Sequence, residues 1–187
     1  MTTPTHSSPT AAPAADALFQ FLDATHQQMQ QELVTLNRLV DALADDRWKA
    51  EDSAQLADTV QWFDTVARQH HLDEERHIFP TLMASSDEHV VDVTRRLRQD
   101  HGWIEQNWLE MGPHLSAVAS GNHWIEPALV RDMVHVFTQL CLDHLMLEES
   151  LAYPKAREHI AADDLARADQ EMAQRRKAYE AKQESRH

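Results

Sequence analysis

Apolar residues recur along this chain in alternating steps of three and four, the spacing that lays them on one face of an α-helix. The first stripe is Phe19, Leu22, Met29, Leu33, Leu36, Val40 and Leu43, and Asp16 is placed to cap the helix that carries it. The gap in that stripe, position 26, is a histidine. After a turn-like stretch from Ala44 to Asp52, a second helix is predicted over residues 53–84. Phe63, Val66, Ile78 and Leu82 mark its buried side, and His70 and Glu74 share it. Asp87 can cap a third helix striped by Val90, Val93, Leu97, Ile104, Trp108, Met111, Leu115 and Val118, with His101 filling one step. Gly112-Pro113 should kink that helix and Ser120-Gly121-Asn122 should end it. The segment from Trp124 to Pro127 opens a fourth helix, whose stripe is Val130, Val134, Phe137, Cys141, His144, Leu147 and Leu151. A fifth, more polar helix is expected from Asp163 to about Lys182, carrying Leu165, Met172 and Tyr179.

Four long helices with short connections predict an all-α fold: an antiparallel up-down-up-down four-helix bundle over residues 16–154, with an additional C-terminal helix and tail in residues 155–187. Residues 1–15, rich in Thr, Ser, Pro and Ala, read as a disordered tail. Each of the four bundle helices has a histidine near the middle of its apolar stripe.

Composition narrows the function. The chain of 187 residues carries 17 Lys+Arg against 31 Asp+Glu, a formal charge of −14, which argues against nucleic-acid binding by phosphate neutralisation and against a polybasic membrane anchor. Three glycines and seven prolines are too few turn residues for a β-sandwich or barrel. A single cysteine, Cys141, excludes an internal disulfide framework and a Cys-rich zinc or iron–sulfur site. No apolar run is long enough to span a membrane, and the N-terminus lacks a basic start and an apolar core of the secretory type, so a cytoplasmic location is expected. The anomaly is histidine, with 13 residues.

Their positions repeat. His70-His71-Leu72-Asp73-Glu74-Glu75, followed by Pro80, matches His144-Leu145-Met146-Leu147-Glu148-Glu149, followed by Pro154, and both halves read HxxxEExxxxP. His26 precedes His70 by nearly the same distance as His101 precedes His144. Residues four apart on a helix lie on one face, so each HxxxE is a potential chelate. A bundle would bring His26, His70, Glu74, His101, His144 and Glu148 together in its core, and Glu105, four residues after His101, is a candidate seventh ligand. Four imidazoles and three carboxylates suit iron, manganese or zinc and do not suit calcium or magnesium. Seven ligands exceed one tetrahedral zinc, so two carboxylate-bridged metals are the natural count. The reversed order of the motif argues against a ferritin-like oxidase, which carries Glu-x-x-His.

With His26, the HHLDEERHIFP segment from His70, the Asp100-His101 pair and the HLMLEESLAYP segment from His144, the chain resembles the hemerythrin-like proteins of the bacterial type, with their histidine-histidine-glutamate (HHE) cation-binding domain. The resemblance covers roughly Asp16 to Pro154. It implies a four-helix bundle holding two non-haem iron ions joined by an oxo bridge (Fe–O–Fe), with Glu74 and Glu148 bridging, His26 and His70 on one ion, and His101 and His144 on the other. It also implies a small-molecule partner, namely dioxygen, nitric oxide or peroxide. The expected function is ligand or iron binding for sensing or for redox and nitrosative stress defence. Alternatives are a di-iron enzyme that reduces nitric oxide or decomposes peroxide, or iron storage and donation for iron–sulfur cluster repair. Oxygen carriers of the family have a second histidine four residues after that of the third helix and an aspartate five after the last. Here the third helix has Glu105 in place of that histidine, and the last histidine is followed at four residues by Glu148.

By the repeat, Glu105 corresponds to Gln30, a poorer ligand, so the ion of His26 and His70 is expected to be the coordinatively open one, with Gln30 or Met29 nearby. His71 and Glu75 form a second HxxxE one residue out of phase and are expected to bound the site or face solvent. His77 is left outside the ligand set. Trp103, Trp108 and Phe63 read as core or site walls, and Cys141 as a packed apolar residue. His135 should point outward, and His6, His89, His114, His123, His159 and His187 read as surface residues.

Overall fold

In the computed structural model, which describes residues 12–122 and 126–184, every regular element is helical. The expected tail up to residue 11, the Trp124 start of the fourth helix, and His6, His123 and His187 lie outside the described residues. Four long helical rods come first. The first is α1 (Ala12–Ala44). The second is built from α2 (Ala50–Trp62), a π-helical turn Phe63–Ala67, α3 (Arg68–His77) and α4 (Phe79–Met83). The third is α5 (Glu88–Ala119). The fourth joins α6 (Pro127–Leu147), a second π-helical turn Glu148–Ala152 and α7 (Tyr153–His159). A fifth helix, α8 (Ala162–Glu184), follows.

The boundaries show which local signals held. Helix α5 is capped by Asp87, whose carboxylate accepts from the His89 N–H at 3.0 Å. It ends where Gly121 takes a φ of 78°, a left-handed value that costs glycine little. It runs unbroken through Gly112 and Pro113. A proline forfeits one ladder hydrogen bond, and here the surrounding packing outweighs that loss: Gly112 lies against the Trp108 indole, where a Cβ would sit 3.5 Å away. Helix α1 starts before the expected cap at Asp16, because the alanines of Ala12–Ala15 favour helix and Pro13 falls in the first turn, where its missing N–H costs nothing.

Rods α1 and α5 each pack on both α2 and α6, so the four rods close a ring. Their apolar stripes fill two separate cores. One holds Met29, Leu33, Leu36, Leu56, Trp108 and Phe137 among others, and the second holds Leu18, Phe19, Leu22, Ile78, Leu97 and Ala156 among others. Between these cores, every rod contributes its histidine. A polar layer is thereby sealed above and below by close-packed hydrocarbon, which keeps bulk water and its dielectric away from it.

Helix α8 packs on α1 and α3. It buries Leu165, Ala168 and Met172 in the second core, and Arg175 pairs with the buried Asp73 of α3. The side chain of Tyr179 lies outside the described set. Trp103, expected in the core or a site wall, is instead 48% exposed, because its place on α5 falls outside the buried stripe.

Phe63 packs against the rings of Trp62, Trp108 and Phe137 at centroid distances of 5.0, 4.8 and 5.4 Å. Phe63→Ala is expected to cost about 3–5 kcal/mol, read as a lowered urea midpoint with an unchanged slope. A loss below about 1 kcal/mol would mean that this core repacks freely.

Candidate metal centre

The four stripe histidines meet in two pairs. His26 Nε2 lies 3.0 Å from His70 Nε2, and His101 Nε2 lies 3.1 Å from His144 Nε2. Two glutamates stand between the pairs and touch both. Glu74 presents Oε2 at 3.5 Å from both His70 Nε2 and His101 Nε2, and Oε1 at 3.9 Å from His26 Nε2. Glu148 presents Oε2 at 3.3 Å from His26 Nε2 and Oε1 at 3.1 Å from His144 Nε2. All six side chains are buried. The spacing of four in each HxxxE places the glutamate one turn beyond its histidine on the same face, and the neighbouring rod brings the second imidazole.

The outward nitrogens of two rings are held by carboxylates. Glu149 Oε1 accepts from His26 Nδ1 at 3.1 Å, and Glu75 Oε1 from His101 Nδ1 at 2.9 Å. Such bonds fix the ring orientation and turn Nε2 toward the cluster. The repeat is therefore also a spatial one, with the second glutamate of each EE pair supporting the histidine of the opposite hairpin.

The halves differ at two positions. Where α6 has the buried Leu145, α3 has His71, which stacks on His101 at 4.2 Å and a 20° interplanar angle. Where α4 has Phe79, stacked on His101 at 5.3 Å, α7 has Tyr153, stacked on His26 at 5.0 Å. The Tyr153 hydroxyl donates to Glu74 Oε1 at 2.5 Å and lies 2.9 Å from His26 Nε2. One half thus holds two imidazoles and a phenol, and the other three imidazoles.

Two groups have ligand atoms close enough to share an ion: His26, His70, Glu74 and Glu148, and His71, Glu74, His101 and His144. Buried polar atoms test the fit. Glu74 Oε2, both carboxylate oxygens of Glu148 and His71 Nε2 have no hydrogen-bond partner. Orphaned buried acceptors are costly unless something compensates them. A cation between the pairs would do so, and the mix of imidazole and carboxylate suits a borderline transition metal.

Titration behaviour points the same way. Burial works against a charge on His26, yet the adjacent Glu148 and Glu74 carboxylates outweigh it and raise its pKa to about 9. Burial is likewise overcome at His101, raised to about 10 by Glu148 and Glu74. At His70 burial prevails and lowers the value to about 4, and it pushes His71 well down. Glu148 is held well below the usual carboxylate range, since the surrounding histidines outweigh its desolvation. His26 and His101 are thus primed to carry a proton where a metal would otherwise sit.

Six of the seven residues singled out by spacing are brought together. Glu105 is not: it is one-third exposed and forms an ion pair with Arg68 at 2.6 Å. Its counterpart Gln30 is exposed in a surface cleft with Gln27, Gln31, Val34 and Thr35, not beside the cluster. A residue four beyond His26 or His101 turns away from the centre, and on α5 an arginine is within reach. The expected contrast between Gln30 and Glu105 is therefore absent from the site, and the contrast of His71 and Tyr153 with Leu145 and Phe79 stands in its place. His71 was readable as a histidine where the repeat puts a buried leucine. Tyr153 carried no periodic signal. Cys141 is buried in the first core, as its place in the stripe implied, and His135 points outward to Asp41. His77 is tied to α8 through Arg175 at 3.3 Å and Glu171 at 3.8 Å.

Against known proteins, residues 17–156 match the family model for the hemerythrin HHE cation-binding domain. The chain belongs to that family. This hemerythrin HHE chain is also 24% identical over 161 residues to an uncharacterised protein of Haemophilus influenzae, a similarity that covers 86% of this chain and 91% of the relative. No solved structure gives a significant match. Family and geometry together support metal-ion binding by the buried histidine and glutamate cluster. Among the described residues, no helix is long and apolar enough to cross a membrane.

Proposed function

We propose that this chain is a cytoplasmic non-haem di-iron protein that binds a diatomic ligand, dioxygen or nitric oxide, for sensing or stress defence. In this reading the rods form an antiparallel up-down-up-down four-helix bundle. His26 and His70 would hold one ion, His101, His144 and His71 the other, and Glu74 and Glu148, set between the pairs, would serve both. The observation that carries the reading is the pair of buried glutamates set between two imidazole pairs, with Glu74 Oε2 and both Glu148 oxygens lacking a hydrogen-bond partner. When bound, iron supplies redox electrons and an open coordination position for a small ligand.

The chain's own residues set where that ligand goes. His71 adds a third imidazole to the His101 and His144 half, and Leu145 adds no donor to the other. A small ligand would then meet fewer imidazoles on the His26 and His70 side. Tyr153 stands over that pair with its hydroxyl among His26 and Glu74; its single proton, given to Glu74 in the metal-free chain, would pass to a small molecule once a metal took up that carboxylate. The two apolar cores exclude water from that side.

Iron-loaded protein titrated with nitric oxide tests this. Tyr153→Phe keeps the ring stack and removes one donor, so iron content should stay the same while the ligand dissociates about tenfold faster, the worth of one buried hydrogen bond. An unchanged dissociation rate would remove Tyr153 and the His26 side from the ligand site. Failure of the wild-type iron protein to bind nitric oxide or dioxygen would overturn the ligand-binding role. Rapid multi-turnover consumption of nitric oxide or peroxide would make the protein an enzyme instead.

A further inference from the structure

Glu105 has the spacing of a metal ligand and sits outside the cluster, yet it borders a feature that leads there. A cleft of about 330 Å³ between α3 and α5 is lined by Arg68, Glu75, Gly102 and Glu105, and it reaches His71 and His101. Those two are the most exposed members of the cluster, at 9% and 5%, whereas His26, His70, Glu74, His144 and Glu148 lie at 0–2%. Three other surface clefts are lined by no residue of the cluster.

A hydrated cation cannot cross the apolar cores above and below the polar layer without a large desolvation penalty. The cleft offers it the carboxylates of Glu105 and Glu75 and the His71 imidazole instead, beside the guanidiniums of Arg68 and Arg98. At the mouth, Glu105 is held by Arg68 in a pair that is one-third to one-half exposed, and an exposed ion pair of this kind is weak and readily exchanged. Further in, Glu75 bonds His101 Nδ1. At the inner end His71, nine-tenths buried, keeps Nε2 without a partner.

We propose that this cleft is the route by which a divalent metal ion reaches and leaves the buried cluster, with Glu105 its outermost carboxylate and His71 the residue that passes it inward. The proposal rests on the reading that the cluster holds metal. It gives Glu105 a kinetic role in exchange, and no part in equilibrium binding.

The experiment follows ferrous iron entering the full-length metal-free protein without oxygen, and its removal from the loaded protein by an external chelator. A Cβ added at Gly102 meets nothing within 4 Å, so a side chain grown from there starts in open space on the cleft wall. Gly102→Leu should slow both uptake and removal at least tenfold and leave final iron per chain unchanged, with Gly102→Ala close to wild type. Glu105→Gln should slow uptake severalfold at the same final content. Val34→Trp, in the cleft on α1, should change neither rate. Wild-type rates in both Gly102→Leu and Glu105→Gln would overturn the route. A lower final iron content in Glu105→Gln would overturn it too, because Glu105 would then be a ligand of the centre. If the wild-type chain takes up no iron, the metal-holding cluster itself is refuted, a result distinct from normal loading at unaltered rates.

Discussion

If the cluster holds the proposed di-iron pair, Glu148→Ala should strip the protein of both ions. Glu148 lies 3.3 Å from His26 Nε2 on one side and 3.1 Å from His144 Nε2 on the other, so its loss removes a donor from each half at once. Mutating a group that only supports a ligand weakens metal sites about 10–100-fold, and loss of a shared carboxylate should exceed that upper figure. The expected result is wild-type helicity with less than a tenth of the wild-type iron retained through gel filtration. Breaking a buried ion pair by removing one partner ordinarily costs about 3–5 kcal/mol. The metal-free variant should lose less, because His26 and His101 can shed the protons that Glu148 holds on them. Near-normal iron content in Glu148→Ala would mean that the carboxylate does not bridge.

How far the sequence discloses this site depends on helix geometry. His26, His70, His101 and His144 were legible because each occupies a stripe position of a regular helix, and Glu74 and Glu148 because four residues make one turn. Tyr153 follows Glu148 by five. On a regular helix that separation is roughly 140° of rotation, which would point it away from the cluster. The π-helical turn Glu148–Ala152 has a wider repeat and swings Tyr153 back to the face of Glu148. His71 bounds the site, the first of its two expected places: one residue from His70 means roughly 100° on the helix, and from α3 that direction leads to His101 of α5. Glu105, expected as a ligand, lies outside the cluster, since correct spacing does not fix orientation once a neighbour such as Arg68 competes for the carboxylate. The all-helical fold was readable from stripes and caps, whereas the π-helical turns were not, because no single residue type marks them.

The second large effect is on pH. In the metal-free protein, His26 and His101 have pKa values of about 9 and about 10 against a usual 6.5. The stability they contribute is complete below about pH 6.5 and is lost as pH rises through 9 to 10. His70 has the opposite sign. Its value is lowered to about 4, so the unfolded chain binds the extra proton between about pH 4 and 6.5, and stability falls as pH drops through that window. The metal-free protein should therefore be most stable near pH 6.5, losing stability as pH rises from there to about 9 to 10 and as it falls toward 4, which urea midpoints from pH 4 to 11 would show. Metal binding must expel the protons on His26 and His101. Affinity should thus rise about tenfold per pH unit for each ion between pH 6.5 and 9, with proton release visible in a weakly buffered titration. Binding indifferent to pH in that range would show that those imidazoles are not ligands.

The account stands or falls on the metal in the cluster, and the direct measurement is elemental analysis with an optical spectrum on protein purified without added metal and then exposed to air. The account predicts about two irons per chain and the near-ultraviolet absorption of an oxo-bridged diferric pair. A chain that holds no iron, or a single zinc that persists through reconstitution with ferrous iron, would contradict it.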